Sequence, residues 1–214
     1  MNTPMRHTLL AFALALFAVL AASGAEAQRN PSLERVVFAG GCFWCTESDF
    51  DKVPGVVSTI SGYIGGKTEN PTYKSVSSGT TGHAEGVEVV FDKTKIGFEK
   101  LVNYYWRTVD VLDKDGQFCD RGNHYRPEIF VTTPEQRAVA EASKAALVAS
   151  KRFNKPIVVP ITDAGKFTAA EDYHQDYYNK NPLRYVTYRV GCGRDARLES
   201  LWGSEAGGKK LLTH

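Results

Sequence analysis

The sequence predicts an α+β domain in which helices cover a mainly antiparallel sheet. Up to Val131, segments with strand and helix patterns follow one another in the order β-α-β-β-α-β. This order is typical of a ferredoxin-like core, an α/β sandwich with two helices on one face of the sheet. A dinucleotide-binding fold is not indicated, because no G-x-G-x-x-G motif follows the first strand.

The first half of this core contains three strands and one helix. Residues 36–38 are an apolar β-branched run before a glycine pair, and residues 43–52 carry a helical pattern that Pro54-Gly55 ends. Residues 56–63 are rich in β-branched side chains and predict the second strand. Apolar side chains recur at every second position of residues 87–91, which predicts the third.

The second half adds a helix, a strand and an extra helix. Residues 98–109 have apolar groups at helical spacing, and residues 129–131 are an apolar strand. The polar, glycine-containing segment 113–126 separates them. The extra helix is alanine-rich and extends to about residue 150; it begins at Thr133, a capping residue followed by proline.

The remaining segments are predicted to be mostly irregular. Residues 67–81 are rich in Thr, Ser, Asn and Gly and predict a loop, with one helical turn at residues 73–76. A short strand is expected at residues 156–161 and a helix at residues 171–179. From Gly191 onward we expect a coil-rich C-terminal tail with one last short helix.

The first 27 residues resemble a secretory signal peptide. Arg6 precedes the apolar run Leu9–Ala22, and Ala25-Glu26-Ala27 is a small-x-small cleavage site. The apolar run is shorter than the ~20 residues that a membrane span needs. We therefore predict cleavage after Ala27, a single mature domain at residues 28–214 and a periplasmic or secreted location.

Composition excludes some classes of partner. The 26 basic and 24 acidic residues give a net charge of only +2, which does not favour nucleic acid. No stretch after the signal is apolar enough for stable membrane insertion, and a monomer is expected. All four cysteines follow the signal; they are too few for a disulfide scaffold in a chain of this length and favour redox chemistry instead.

Cys42 is the strongest candidate for a catalytic residue. It follows Gly40-Gly41 at the start of the first helix, where unpaired N–H groups and the helix dipole favour a thiolate. The alternative is a buried structural thiol. The glycine pair argues against it, since glycine lets another molecule approach the backbone closely. Phe43 and Trp44 cannot both face the core, so at least one is expected to line the site.

Cys45 lies one helical turn after Cys42, on the same face. Cys-x-x-Cys at a helix N-terminus is the arrangement used in thiol–disulfide exchange, so a thiol–disulfide oxidoreductase is the alternative enzyme class. A zinc-stabilised binding domain is a third class. It is disfavoured, and no metal is expected, because only one pair among Cys42, Cys45, Cys119 and Cys192 has close ligand spacing.

Glu85 is a candidate general acid. It lies in Gly82–Gly86, at the junction between a loop and the third strand, where a desolvated carboxyl group would stay protonated. A capping or surface role is equally compatible with the sequence. Tyr73 and Tyr125 are candidate hydroxyl donors, although single tyrosines more often serve in packing. The histidines expected to be structural are His83, His124 and His174.

Several motifs follow one another after the signal in a specific order and spacing. In chain order they are Gly41-Cys42-Phe43-Trp44, Gly62-Tyr63-Ile64-Gly65-Gly66, Asn70-Pro71-Thr72-Tyr73, Gly79-Thr80-Thr81-Gly82-His83-Ala84-Glu85, Gln117-Phe118-Cys119-Asp120-Arg121-Gly122, Tyr125-Arg126 and Glu171-Asp172-Tyr173-His174-Gln175. These motifs closely resemble those of the peptide-methionine (S)-S-oxide reductases, or type A methionine sulfoxide reductases. The resemblance extends over nearly all of the chain after the signal.

The resemblance implies a reaction. Cys42 would attack the sulfur of a methionine sulfoxide, free or within an oxidised protein, while Glu85 gives a proton to the oxygen and Tyr73 and Tyr125 donate hydrogen bonds. Methionine would leave, and Cys42 would become a sulfenic acid. Residues implied to bind the substrate are Phe43 and Trp44, which would hold its methyl group, and Asp120, which would organise the site through water.

The resemblance also implies a second thiol, which condenses with the sulfenic acid to form a disulfide. Many members have glycine where this chain has Cys45, and their resolving cysteines lie in a differently arranged tail. We favour Cys192 here because its glycine-rich, flexible setting suits a thiol that must move; Cys45 is the second candidate and Cys119 the third. No bound cofactor is implied. An external thioredoxin-like or other dithiol donor would reduce the disulfide.

Overall fold

A six-stranded sheet organises the computed structural model of this protein, which describes residues 32–212. The predicted signal peptide lies outside the described residues. The sheet has the order β7-β6-β1-β3-β2-β8, and a separate two-stranded hairpin consists of β4 and β5. The strands are β1 Leu33–Gly40, β2 Val56–Ile64, β3 Ala84–Asp92, β4 Gly116–Gln117, β5 Asp120–Arg121, β6 Pro127–Val131, β7 Ile161–Asp163 and β8 Thr168–Ala169.

Helices fill the connections between strands and most of the C-terminal segment. They are α1 Phe43–Phe50, α2 Tyr73–Ser77, α3 Phe98–Trp106, α4 Pro134–Ala149, α5 Tyr177–Lys180, α6 Pro182–Gly191 and α7 Arg194–Trp202, with 3-10 turns at Asn123–Tyr125 and Gly203–Leu211. None of the helices described within residues 32–212 combines the length and the apolar character needed to cross a membrane.

The strands of the predicted core pair side by side. β1 lies between β3 and β6, and β2 pairs with the other edge of β3; all three pairings are antiparallel. β7 and β8, which are not part of the predicted core, extend the two edges, β7 in a parallel pairing with β6. The α+β class is therefore confirmed, and the sheet is larger than the predicted β-α-β-β-α-β core.

One face of the sheet carries the main apolar core. Phe38 of β1 stacks on Phe50 of α1, with ring centroids 4.6 Å apart, and on Tyr105 of α3, at 4.9 Å. Because side chains alternate along a strand, Val36 joins Phe38 in this core while Val37 packs on the opposite face. Helices α1 and α3 therefore pack on the same side of the sheet, and the loop from β1 to α1 lies at the C-terminal end of the inner strand β1.

Three local predictions were wrong. Residues 156–160 form no strand; the ladder begins at Ile161, after Pro160, because proline has no N–H to donate. The helix expected at 171–179 is reduced to α5, since Asp176 has a left-handed backbone with φ of 52°. The tail from Gly191 onward contains the one helix expected there, α7, but the 3-10 segment Gly203–Leu211 replaces most of the expected coil; α6, which precedes this tail, was not predicted.

Gln175 replaces a missing strand partner at the edge of β2. Its side-chain amide accepts the N–H of Ser61 and donates to the carbonyl of Ser61, both at 2.9 Å. It also donates to the carbonyl of Ala170 at 2.9 Å. Ser61 is fully buried. Water cannot replace these bonds, so the side chain fixes the C-terminal segment to the sheet.

We expect Gln175→Leu to lower the free energy of unfolding by about 1–3 kcal/mol, because it leaves the buried N–H of Ser61 without an acceptor. Urea denaturation measures this change. The control is Tyr173→Phe, which alters an exposed side chain nearby and is expected to change stability by less than about 0.5 kcal/mol. Equal stability of the two variants would contradict the assignment.

Candidate active site

Cys42 occupies the junction between β1 and α1. It is the N-terminal cap residue of α1, and only 6% of its surface is exposed. Gly41 before it has φ of 84°, and a Cβ atom there would lie 2.6 Å from Cβ of Gln117. Glycine is therefore required at this position, both for the turn and for the close approach of Gln117.

The Cys42 thiol lies in an apolar, hydrogen-bonded environment. Burial raises the pKa of Cys42 well above its ordinary value, as do the hydrogen bond to Cys45 and the negative charges of Cys45 and Glu85. A hydrogen bond from Tyr188 acts in the opposite direction. Cys42 lies at the helix N-terminus, as the sequence predicts. The thiolate expected there is not favoured, because the effect of desolvation on the pKa is larger than that of the helix dipole. The resting site holds Cys42 as a thiol.

Cys45 is buried directly behind Cys42. Its pKa is lowered mainly because it accepts a hydrogen bond from Cys42; burial opposes this shift, and the positive charges of Arg194 and Arg189 support it. Both cysteines are free. The hydrogen bond from Cys42 places the two thiols next to each other, as they must be before a dithiol can close to a disulfide.

Glu85 is buried beside the nucleophile. It lies in β3 opposite Tyr63 of β2, with 2% of its surface exposed, and accepts the N–H of Phe43 at 3.0 Å. Burial raises the pKa of Glu85 to about 8, against the hydrogen bond from Phe43, with the charges of Asp120 and Cys45 contributing. The carboxyl group is therefore protonated at neutral pH and can donate a proton.

Two tyrosine hydroxyls converge on Glu85. Tyr73, from α2, and Tyr125, from the 3-10 turn after β5, are hydrogen-bonded to each other. Burial raises the pKa of both hydroxyls, and the charges of Glu85 and Cys42 raise them further. They therefore remain protonated and able to donate hydrogen bonds across the physiological range.

Aromatic side chains form one wall of the site. Phe43 is buried at 4.9 Å from the ring of His174, while Trp44 is half-buried and stacks on Tyr177 at 3.7 Å. Trp44 Nε1 donates to Nδ1 of His174 at 3.0 Å, and burial lowers the pKa of His174, so its ring is neutral. Phe43 therefore joins the core, and Trp44 is the aromatic residue that reaches the surface.

Arg194 holds the turn between β1 and α1 that carries Cys42. This buried guanidinium donates to the carbonyl of Gly40 at 3.1 Å and to that of Thr108 at 2.8 Å. It lies 3.8 Å from the carboxylate of Asp49 in α1, and its guanidinium carbon lies 4.5 Å from the ring centroid of Phe118. A buried cation with a nearby carboxylate and two carbonyl acceptors fixes the end of β1.

Asp120 is connected to the nucleophile through Tyr188. Tyr188, on α6, donates its hydroxyl hydrogen to the carboxylate of Asp120 and also lies within hydrogen-bonding reach of the Cys42 thiol. Burial raises the pKa of Asp120, against the hydrogen bond from Tyr188. Asp120 therefore bonds directly to a side chain of the C-terminal segment.

Cys119 and Cys192 form a disulfide at the rim of the site. Cys192 lies between Gly191 and Gly193, caps the C-terminus of α6 and is joined to Cys119. Within residues 32–212, these two cysteines and Asp120 are also the group whose ligand atoms lie close enough for a metal ion. The disulfide occupies both sulfurs, which leaves the carboxylate as the one free ligand of that group.

The sequence-predicted site residues thus form one cluster and a rim. Cys42, Cys45, Phe43, Trp44, Glu85, Tyr73, Tyr125 and Asp120 lie together, and Cys119 with Cys192 lies beside Asp120. Sequence reasoning missed Tyr188 and Arg194 and treated His174 only as structural. His174 lies in a motif that the resemblance includes, but single tyrosine and arginine residues in a tail give no comparable signal.

Comparison with known proteins identifies the family. Residues 34–206 match the family described as peptide methionine sulfoxide reductase. A peptide methionine sulfoxide reductase MsrA from Listeria innocua is 54% identical over 171 residues, which cover 80% of this chain and 97% of the relative.

Solved structures agree with this match. Methionine sulfoxide reductase A of Corynebacterium diphtheriae is 37% identical with a TM-score of 0.61, covering 72% of this chain and 78% of that one. Mxr1 from Saccharomyces cerevisiae in complex with Trx2 is 19% identical with a TM-score of 0.50, covering 69% and 86%, and shows similarity of fold alone. The chain therefore belongs to the peptide methionine sulfoxide reductase family.

Proposed function

We propose that this protein reduces the S epimer of methionine sulfoxide, free or in oxidised proteins, to methionine. The observation that carries the proposal is the pairing of a buried cysteine with a buried carboxylic acid. Cys42 supplies the nucleophile, and the raised pKa of Glu85, about 8, keeps a proton available next to it. A sulfoxide oxygen leaves poorly until it is protonated, so the reaction needs both groups in one pocket.

The reaction balances as a two-electron transfer. The Cys42 sulfur bonds to the sulfoxide sulfur while Glu85 protonates the oxygen, with Tyr73 and Tyr125 as hydrogen-bond donors to it. With the protons of Glu85 and of the Cys42 thiol, the oxygen leaves as water and the S–O bond breaks, while the Cys42 sulfur stays bonded to the substrate sulfur. Water then attacks the Cys42 sulfur and returns a proton to Glu85; the bond between the two sulfurs breaks, methionine leaves, and Cys42 becomes a sulfenic acid. Phe43 and Trp44 provide the apolar surface for the methyl group of the substrate.

We infer that Cys45 resolves the sulfenic acid. Its thiol contacts Cys42, whereas Cys192 is bonded to Cys119. Attack of Cys45 on the sulfenic sulfur releases water and forms a Cys42–Cys45 disulfide. A dithiol donor then reduces this disulfide and is itself oxidised. A thioredoxin-like donor is the class we propose, and a relative of this fold, yeast Mxr1, has been solved with Trx2.

We also propose that the protein acts in the periplasm or outside the cell, because residues 1–27 have the pattern of a cleavable signal. The oxidised substrates and the dithiol donor would then be those of an oxidising compartment. The alternative function, thiol–disulfide exchange, is favoured by one observation, the Cys42–Cys45 contact. It gives no role to the protonated Glu85.

Substitution of Glu85 separates these two functions. We expect Glu85→Gln to lower the single-turnover rate of methionine sulfoxide reduction by at least about 100-fold, because the general acid is lost. Reduction of a model disulfide by the same variant should change by less than about threefold. Glu88→Gln, in the same strand, is the matched control and should keep both rates. Equal losses in both assays would favour the alternative.

The ratio of wild-type to Glu85→Gln rates should depend on pH. Glu85 acts only while protonated, so its contribution is complete well below its pKa of about 8 and disappears as the pH rises above it. Because the charge of Glu85 raises the pKa of Cys42, each rate is first divided by the thiolate fraction of that protein, measured by the pH dependence of Cys42 alkylation. Single-turnover rates from pH 6 to 10 measure the ratio, and a flat profile would contradict the role of Glu85 as the acid.

A sulfenic acid trap tests the resolving thiol. In the Cys45→Ser variant, one turnover should leave Cys42 as a sulfenic acid that dimedone labels, with about one methionine formed per chain. The Cys192→Ser variant should still form the Cys42–Cys45 disulfide. Tryptic mass spectrometry distinguishes the products. A Cys42–Cys192 disulfide in the Cys45→Ser protein would assign resolution to Cys192 instead.

A further inference from the structure

Two links connect the β4–β5 hairpin to α6 at the rim of the site. The first is the disulfide between Cys119 and Cys192, which joins positions 73 residues apart. The second is the hydrogen bond from the Tyr188 hydroxyl to Asp120. The links are parallel, because Cys119 precedes Asp120 in the chain and Cys192 lies one helical turn after Tyr188, with its N–H donating to the Tyr188 carbonyl at 2.8 Å.

The disulfide and the hydrogen bond are also adjacent in space. The carboxylate oxygens of Asp120 lie 3.7 Å from the sulfur of Cys119 and 3.9 Å from that of Cys192. The N–H of Cys119 lies 3.1 Å from the sulfur of Cys192. The covalent bond therefore holds the carboxylate and the tyrosine that bonds to it in one arrangement.

Tyr188 connects the disulfide and Asp120 to the nucleophile. Its hydroxyl, which donates to Asp120, lies within hydrogen-bonding reach of the Cys42 sulfur; when the hydroxyl turns to that sulfur, its hydrogen bond favours the thiolate and lowers the pKa of Cys42 against the effect of burial. The other titratable groups that act on Cys42 are Cys45 on α1 and Glu85 on β3. Of these three, Tyr188 alone comes from the C-terminal segment, so its contact depends on where α6 lies.

Several contacts hold α6 along one side and beyond its C-terminal end. Tyr185 is buried, and Arg189 pairs with Asp49 of α1 at 2.8 Å. Just beyond the helix, the buried Arg194 donates to the carbonyl of Gly40 at 3.1 Å. Among these constraints the disulfide is the covalent one, and it lies one helical turn from Tyr188.

We propose that the Cys119–Cys192 disulfide is a positioning clamp: it holds Tyr188 against Cys42 and Asp120, and its opening slows the reduction of the sulfoxide. The disulfide takes no part in the chemistry of the turnover, and Tyr188 is a positioning residue. The inference deepens the proposed function and rests on it. It makes the rate of the enzyme depend on the redox state of a bond outside the reacting pair.

A dithiol would open the clamp. Cys119 is exposed, whereas Cys42 and Cys45 are both buried. One thiolate of the dithiol attacks the Cys119–Cys192 bond to give a mixed disulfide, and its second thiol closes on the first. The dithiol leaves as a disulfide, and two electrons and two protons remain on Cys119 and Cys192. The donor that recycles the enzyme can therefore also act on its rim.

A Cys45→Ser background isolates the clamp, because Cys42 is then the one free thiol and the first turnover needs no reductant. We expect Cys119→Ser/Cys192→Ser in this background to slow methionine formation about tenfold, which corresponds to loss of one hydrogen bond at the nucleophile. The pH midpoint of Cys42 alkylation by iodoacetamide should move upward. Tyr188→Phe keeps the disulfide and should reproduce both changes.

A double-mutant cycle distinguishes the clamp from a general loss of structure. If the disulfide acts through Tyr188, removing it from the Tyr188→Phe protein should change the rate by less than about twofold. Additive losses, or an unchanged first turnover without the disulfide, would overturn the proposal. If only repeated turnover with a dithiol donor slows, the disulfide carries electrons and is not a clamp.

The same experiment tests the proposed reductase activity separately from the clamp. If the parent Cys45→Ser protein forms no methionine, the reductase proposal fails. The alkylation midpoints of the same proteins then decide the clamp independently, because they report the Cys42 thiol without any substrate. Val148→Ser, which alters an exposed apolar residue on α4, is the control and should change neither readout.

Discussion

Desolvation of the acid next to the nucleophile is the constraint on which the site depends. A carboxyl group of ordinary pKa would be ionised at neutral pH; its negative charge would disfavour the Cys42 thiolate, and it would have no proton to give to an oxygen. Glu85 avoids this because it sits in the central strand β3 and is covered by α1, whose Phe43 N–H contacts it. The sheet and the first helix together therefore decide the protonation state of the acid.

The C-terminal segment supplies further polar contacts around the site. Glu171 accepts the Tyr63 hydroxyl at 2.8 Å and the Tyr73 N–H at 2.9 Å, which fixes α2 beside the acid. The buried Glu47 of α1 accepts the N–H of Asp176 at 3.0 Å, and burial raises its pKa to about 7. Much of the polar wall of the pocket is thus contributed by residues far along the chain from the nucleophile.

The sequence was most informative where a local pattern decides the structure. Alternation and capping located the core strands, α1, α3 and α4, and the motifs brought Cys42 and Glu85 to one pocket. Helix α6 was missed because it is held by contacts such as that of Arg189 with Asp49, which no local pattern reveals. The thiol state of Cys42 was missed for a similar reason, since desolvation depends on residues distant in the chain.

The separation of the two cysteine pairs has a consequence for biogenesis. Cys42 and Cys45 are three residues apart, whereas the partner of Cys119 is 73 residues away. Closing a short loop is entropically easier than closing a long one, so an unfolded chain exposed to oxidants would couple the near pair first. The folded chain shows the reverse pattern, with the near pair reduced and the distant pair joined. The Cys119–Cys192 disulfide therefore depends on packing of the C-terminal helices, which brings two distant positions of the chain together.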